Sequence, residues 1–234
     1  MVKKQLNQND FYTDEFLNFA NGAYTFDNTP INRSINKSDL VDKQLMLENL
    51  KKKIELIDNC EFKNSASKIV FGDGEYDSPI MIVGEAPGEK EDETGKPFVG
   101  EAGLLLNKML NAIKIERENI YITNLVNYRP PGNRKPNSKE IIRYSKYLKE
   151  HISIINPRIL IIMGSAAMES LFGTKIQISK ERGHWKEIII AQKTYLTMVT
   201  FHPAYLLRIP EQKKHSWEDL KKINQKIAEL GLKL

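Results

Sequence analysis

The chain has 234 residues, 35 Lys plus Arg against 30 Asp plus Glu, and a single cysteine, Cys60. That length suits one domain with a sizeable core and a decorated end, and one cysteine excludes an internal disulfide or a metal centre built on four thiolates. Residues 1–16 hold no sustained apolar stretch, and no run approaches the roughly 18 apolar residues of a membrane span, so neither signal peptide nor membrane segment is expected and the cytoplasm is the default.

Residues 1–36 are rich in Asn and Asp but include Phe11, Tyr12, Phe16, Phe19, Tyr24 and Phe26. Such aromatic content argues against a plain disordered tail and predicts a short helix near Asp14–Asn21, then an irregular arm through Pro30. Asp39 is placed to cap a helix running to about Asp58, because Leu47, Leu50, Ile54 and Ile57 recur at helical spacing. The expected organisation is an N-terminal extension and helix over 1–58, packed on a catalytic domain over 59–234.

Strands and helices then alternate. Ile80–Val83 is a short apolar strand ending at Gly84-Glu-Ala-Pro-Gly88, and Leu106, Met109, Leu110 and Ile113 mark a helix face. Asn119–Leu125 reads as a second strand. Ser138 opens a long helix with Glu140 in its first turn, where the dipole favours an anion. Ile159–Met163 is a third strand, Ser165–Leu171 a short helix, and Ile188–Ile190 with Leu196–Val199 further strands that can form a hairpin. Trp217, Leu220, Ile223 and Ile227 mark a closing helix. This alternation predicts an α/β fold with a mostly parallel sheet covered on both faces.

Charge is unevenly placed. Between Asn127 and Arg158 stand eight basic residues and two acidic ones, a net +6 that exceeds the +5 of the whole chain. A polyanion such as nucleic acid is the partner such a field suits, although a solvated basic face gives the same pattern.

Ligands of open parallel sheets bind beyond the carboxyl ends of the strands. Three unusual polar segments fall there: Gly84 to Gly88, Asn124 with Arg129-Pro-Pro-Gly-Asn-Arg134, and His202-Pro-Ala-Tyr-Leu-Leu-Arg208. Glu85 there can orient water or stabilise a developing cation; Glu91 is a weaker helper, and its neighbours read as solvated acids. Phe98 offers a flat wall for a base, and the amide of Asn124 a donor and an acceptor that match the edge of uracil but not of cytosine. Neutral His202 can donate a hydrogen bond to a leaving base as it gains negative charge. Tyr205, Leu206 and Leu207 beside Arg208 read either as a wedge into a base stack with a phosphate anchor or as a helix turn whose leucines face the core. His151, His184, His202 and His215 have no ligand-like spacing, so no metal and no cofactor are expected.

These segments closely resemble the uracil-DNA glycosylase superfamily, in particular its thermostable-type, iron–sulfur branch called family four. The resemblance rests on Val83-Gly-Glu-Ala-Pro-Gly-Glu-Lys-Glu-Asp-Glu-Thr-Gly-Lys-Pro-Phe-Val-Gly-Glu-Ala-Gly103, Ile122-Thr-Asn-Leu-Val-Asn-Tyr-Arg-Pro-Pro-Gly-Asn-Arg134, Gly164-Ser-Ala-Ala167 and His202 to Arg208, and covers roughly residues 60–230. It implies a three-layer α/β/α fold around a four-stranded, mostly parallel sheet. For the residues it implies Glu85 as catalytic carboxylate, Phe98 stacking on the flipped base, Asn124 reading its edge, His202 at O2, Asn133 in substrate or loop placement, and Leu206 as the intercalating side chain. Ala86 stands where another branch carries a catalytic aspartate. Arg129, Arg134, Lys135, Tyr205 and Arg208 complete the expected DNA contacts.

The branch's four cluster cysteines would fall at Cys60, Lys63, Tyr128 and Tyr144, so three of the four ligands are replaced. The expectation is a cluster-free protein in which Tyr128 and Tyr144 pack into the space and Lys63 faces solvent or bonds one of them. The function that follows is monofunctional release of uracil from single- or double-stranded DNA by a monomer, leaving an abasic site. The alternative is a weakly active or inactive reader of uracil or abasic DNA.

Overall fold

The apolar run Ile80–Gly84 is buried at every position, as are Tyr121–Asn124 and Ile159–Met163. Strands buried without alternation belong to parallel sheets covered on both faces. The computed structural model describes residues 37–173 and 177–234. The helix expected near Asp14–Asn21 and the arm through Pro30 lie outside the described residues.

Six strands are present among them: β1 (Asp73–Gly74), β2 (Ile80–Gly84), β3 (Tyr121–Asn124), β4 (Ile159–Met163), β5 (Trp185–Ile190) and β6 (Lys193–Thr200). Their order is β1-β3-β2-β4-β6-β5, with β3, β2, β4 and β6 parallel to their neighbours and the two rim strands antiparallel. The expected four-stranded sheet is thus the parallel centre of a six-stranded mixed one. Of the two rim strands, β5 is the first strand of the hairpin expected from Ile188–Ile190 and Leu196–Val199, and it joins β6 through Ala191 and Gln192, both at positive φ. β1 is unexpected, because it is only two residues long and has no periodicity to read.

The helices are α1 (Lys37–Glu55), α2 (Glu61–Ser65), α3 (Glu89–Thr94), α4 (Glu101–Ala112), α5 (Ser138–Ile155), α6 (Ser165–Phe172), α7 (Ile178–Glu181), α8 (Pro203–Arg208) and α9 (Lys213–Glu229). α1 starts at Lys37, two residues before the expected cap, and belongs to the same compact unit as the sheet, Lys37–Leu234.

Alternate strand residues feed two cores. Met81, Val83, Leu160 and Ile162 meet Leu47, Leu50 and Ile54 of α1, Phe62 of α2, Tyr144 and Leu148 of α5, and Ala167 of α6. Ile80, Ile82, Ile159 and Ile161 meet Leu106 and Leu110 of α4 and Leu220, Ile223 and Ile227 of α9. Three layers result. Trp217 does not share the buried face of α9; it is 43% exposed, while Asp219 is fully buried. Helix α5 opens with a reciprocal cap, Asn137 Oδ1 accepting from the Glu140 N–H and Glu140 Oε2 from the Asn137 N–H, and it ends at Asn156 in the left-handed region.

In the first core Cys60, Tyr128 and Tyr144 are all buried. Lys63 departs from expectation: its ammonium donates to the Glu55 carbonyl at the end of α1. His151 is fully buried, bonded to the Tyr121 hydroxyl at 2.9 Å and stacked on Phe71 at 4.4 Å. Burial pushes its pKa down to about 3.

Acid lability follows. The unfolded chain protonates this ring as pH falls through about 6.5, whereas the folded ring stays neutral down to its depressed value. The stabilisation is therefore complete above pH 6.5 and is lost on acidification at about 1.4 kcal/mol per pH unit. Glu85 and Asp219, raised by burial, oppose it near the carboxylate range. Urea unfolding of the wild type and His151→Gln at a series of pH values between 7 and 5 isolates the term; equal slopes for the two would refute it.

Candidate active site

The strand register places four chain segments on one rim. Gly84 pairs with Asn124, and Met163 with Thr200, so the residues after β2, β3, β4 and β6 converge beyond the carboxyl ends. There they line a cleft of about 630 Å³ whose walls include Glu85, Phe98, Asn124, Lys135, His202 and Arg208.

Asn124 is buried, and its Oδ1 has no partner. His202 is held differently at its two nitrogens. Nδ1 accepts the Ala204 N–H at 3.2 Å, capping α8, which leaves the proton on Nε2. That Nε2 is buried and also has no partner. Burial, aided by the charge of Arg208, lowers the pKa of this ring to about 4, so it is neutral at pH 7. Unsatisfied buried polar atoms are rare because each forfeits its hydration. One acceptor and one donor of this kind in a single cleft form a mould for a ligand with the complementary edge.

Phe98 supplies a plane. Its ring lies 5.3 Å from that of His202, and its backbone sits at φ 53°, a region that bulky residues rarely adopt. Its surroundings enforce this geometry. Arg117 donates to the carbonyls of Pro97 and Phe98, and a side chain at Gly103 would place Cβ 1.9 Å from the Phe98 carbonyl oxygen. Glu91 completes the hold: Oε1 accepts from the N–H groups of Val99 and Gly100 at 2.8 Å each, and Oε2 from Gly88 at 3.1 Å. Expected as a helper at the substrate, Glu91 borders the cleft and also clamps two of its loops.

Glu91→Gln turns one carboxylate oxygen into an NH₂ group facing an N–H, at a cost of about 1–3 kcal/mol. Amide exchange at Val99 and Gly100 should accelerate, and their unchanged protection would count against the clamp.

Glu85 is half-buried at the head of the cleft. Burial raises its pKa, while Lys135, Arg208 and the Ala166 N–H, at the start of α6, act in the other direction. Ala86 lines the wall beside it and adds no second carboxylate.

The basic residues divide. Lys135 and Arg208 face the cleft, are exposed, and form no ion pair among the described residues. Arg134 also borders it, but its guanidinium is shared between Glu140 and Glu61 and lies 4.8 Å over the Phe62 ring. Arg129 donates to Asn133 Oδ1 at 2.8 Å and lies 3.7 Å from Glu89.

Leu206 requires a correction. It is 1% exposed and packs in the second core, so it is no surface wedge; the exposed leucine is Leu207, at 40%. The two are consecutive on α8 and face about 100° apart. Tyr205 is half-buried and packs against Phe201 at 4.9 Å.

Sequence reasoning missed the wall made by Gln177, Ile178 and Ser179 and its brace. Asp219 accepts from Thr200 Oγ1 at 2.7 Å and from Arg182 Nε at 3.0 Å, and the Arg182 guanidinium lies 5.6 Å over Phe201. The available signal was an aspartate on the apolar face of α9, beside Leu220.

The profile described as the uracil DNA glycosylase superfamily matches residues 71–225. The type-4 uracil-DNA glycosylase of Thermotoga maritima is 36% identical over 192 residues, covering 81% of this chain and 98% of that protein. The type-4 enzyme of Sulfurisphaera tokodaii is 38% identical over 187 residues, 76% of this chain and 84% of its own. That of Saccharolobus solfataricus is 40% identical over 174 residues, covering 72% and 81% respectively.

Proposed function

Because the chain belongs to the uracil-DNA glycosylase superfamily, in its type-4 branch, we propose that it hydrolyses the N-glycosidic bond of deoxyuridine in DNA. The observation that carries the reading is the pair of unpartnered buried atoms, Asn124 Oδ1 and His202 Nε2, in one cleft.

Deoxyuridine leaves the stack, at a cost of a few kcal/mol that is lowest for single-stranded or mispaired substrate. Its ring lies on Phe98. Asn124 Oδ1 accepts the N3–H of uracil; cytosine presents a lone pair at N3 and meets the acceptor with repulsion. His202 Nε2–H points at O2. As the C1′–N1 bond breaks, its electron pair passes to the base and the donor strengthens against the growing charge. The sugar becomes cation-like, and ionised Glu85 stabilises it and orients the water that adds at C1′. The water's proton passes to the carboxylate or solvent, leaving an abasic site and free uracil.

Lys135 and Arg208 attract the phosphates flanking the flipped nucleotide. Arg134, already neutralised by two carboxylates, holds the loop instead. Leu207, with Tyr205 behind it, fills the gap in the stack. The chain acts on its DNA as a monomer.

The test is release of free uracil from excess DNA with one uracil, offered single- and double-stranded. Multiple turnovers are expected. Tight, uracil-selective binding without release would convert the reading to that of a damage reader.

A further inference from the structure

A four-iron cluster requires four thiolates, and the positions where the type-4 resemblance puts them hold Cys60, Lys63, Tyr128 and Tyr144. These residues do not fit the group. The Cys60 thiol is hydrogen-bonded to the Tyr144 hydroxyl at 3.2 Å, and Lys63 is directed at the Glu55 carbonyl. Among the described residues no three His, Cys, Asp or Glu side chains gather as a metal-holding group.

The space is filled instead. Tyr144 is fully buried and stacks on Phe62, with ring centres 6.4 Å apart and planes within 19°. Tyr128 is buried in the same core. From this plug a chain of contacts runs to the cleft. The Arg134 guanidinium lies over Phe62, bound to Glu61 at the start of α2 and to Glu140 at the start of α5. Arg134 belongs to the loop that begins at Tyr128, and Pro130, Asn133 and Lys135 of that loop line the cleft. A cation held by two carboxylates over an aromatic face is a strong and directional anchor.

We propose that this protein carries no iron–sulfur cluster, and that a plug of Cys60, Phe62, Tyr128 and Tyr144 positions the cationic loop of the cleft through Arg134. The plug residues touch no substrate; they act through where Lys135 and Asn133 stand. The DNA half of the inference rests on the proposed function, whereas the metal half is independent of it.

Two measurements decide it. The full chain is purified anaerobically, offered ferrous iron and sulfide, desalted, and assayed for bound iron, sulfide and a visible charge-transfer band. None is expected, and near-stoichiometric iron and sulfide would overturn the metal half. Phe62→Leu and Tyr144→Ala are then compared with wild type in kinetics and in binding to uracil DNA by fluorescence anisotropy. KM and Kd should rise about tenfold, the scale of one lost phosphate attraction, with kcat within about twofold, and Tyr144→Phe, which keeps the ring, should recover most of the loss. A role in stability alone lowers the active fraction and the melting temperature but leaves KM unmoved; that result would overturn the positioning half. Should Tyr144→Ala fail to fold, Phe62→Leu decides. A wild type that binds DNA yet releases no uracil refutes the catalytic reading, and leaves both the iron assay and the binding comparison standing.

Discussion

Replacing His202 with alanine should lower kcat for uracil release by about 10²–10³-fold, the usual loss when one preorganised donor to a developing anion is removed. The donor is preorganised because the Ala204 N–H occupies Nδ1, so Nε2 bears hydrogen without any rearrangement. Its lack of a partner in the free protein means no protein bond must break before it serves the base. KM for DNA should change little, because the interaction grows only as charge reaches the base. Single-turnover rates on saturating uracil DNA test this, and a loss under threefold would remove His202 from the chemistry. The pH dependence is a second check. Burial holds this ring's pKa near 4, so from about pH 5 upward its state is constant. As pH drops through that value, protonation of Nδ1 breaks the bond to Ala204. Glu85, raised by burial, titrates on the same acid side, and it alone shapes the limb left in His202→Ala.

Gly84→Ala should cost about 10²-fold in kcat/KM, the scale of a misplacement near 1 Å in a reacting constellation. A methyl at this strand end would lie 2.3 Å from Asn124 Oδ1 and 2.5 Å from Phe98 Cζ. Both are side-chain tips, buried in the cleft wall. The register of β3 fixes the Asn124 backbone, and Arg117 and Gly103 the Phe98 backbone, so the side chains themselves must turn away. One added carbon therefore displaces the edge reader and the stacking plane together. Overpacking should cost about 1–3 kcal/mol of stability, so the loss must be measured well below the melting temperature. Activity within threefold of wild type would show that the added methyl leaves the edge reader and the stacking plane in working positions.

Much of this site was legible in the sequence because strands end where apolar runs end. Glu85, Asn124 and His202 each follow such a run, and parallel strands bring their carboxyl ends to one rim. The rest depended on distances that no local pattern encodes. Glu91 looks like one acid among four, and only the folded loops show which acid meets three N–H groups. Leu206 and Leu207 are identical in type, and the helix phase that buries one and exposes the other is set by packing on α4. Arg134 reads as a free cation until Glu61, seventy-three residues earlier, comes within 2.9 Å. Of the two rim strands, β5 was legible as half of a hairpin, whereas β1 is too short to show a period.

Those rim strands have a consequence for how the molecule behaves in company. An open parallel sheet offers its outermost backbone as a template on which another chain can grow. Here β1 presents two residues, one of them the charged Asp73, and β5 carries Lys186 and Glu187. The two edges differ: β1 is too short to seed edge-to-edge joining, whereas β5 sets Lys186 and Glu187 beside Ile189, which is 76% exposed. The four strands that carry the cleft thus have no open edge of their own, and any sideways pairing would fall on β5, away from the working rim's own backbone.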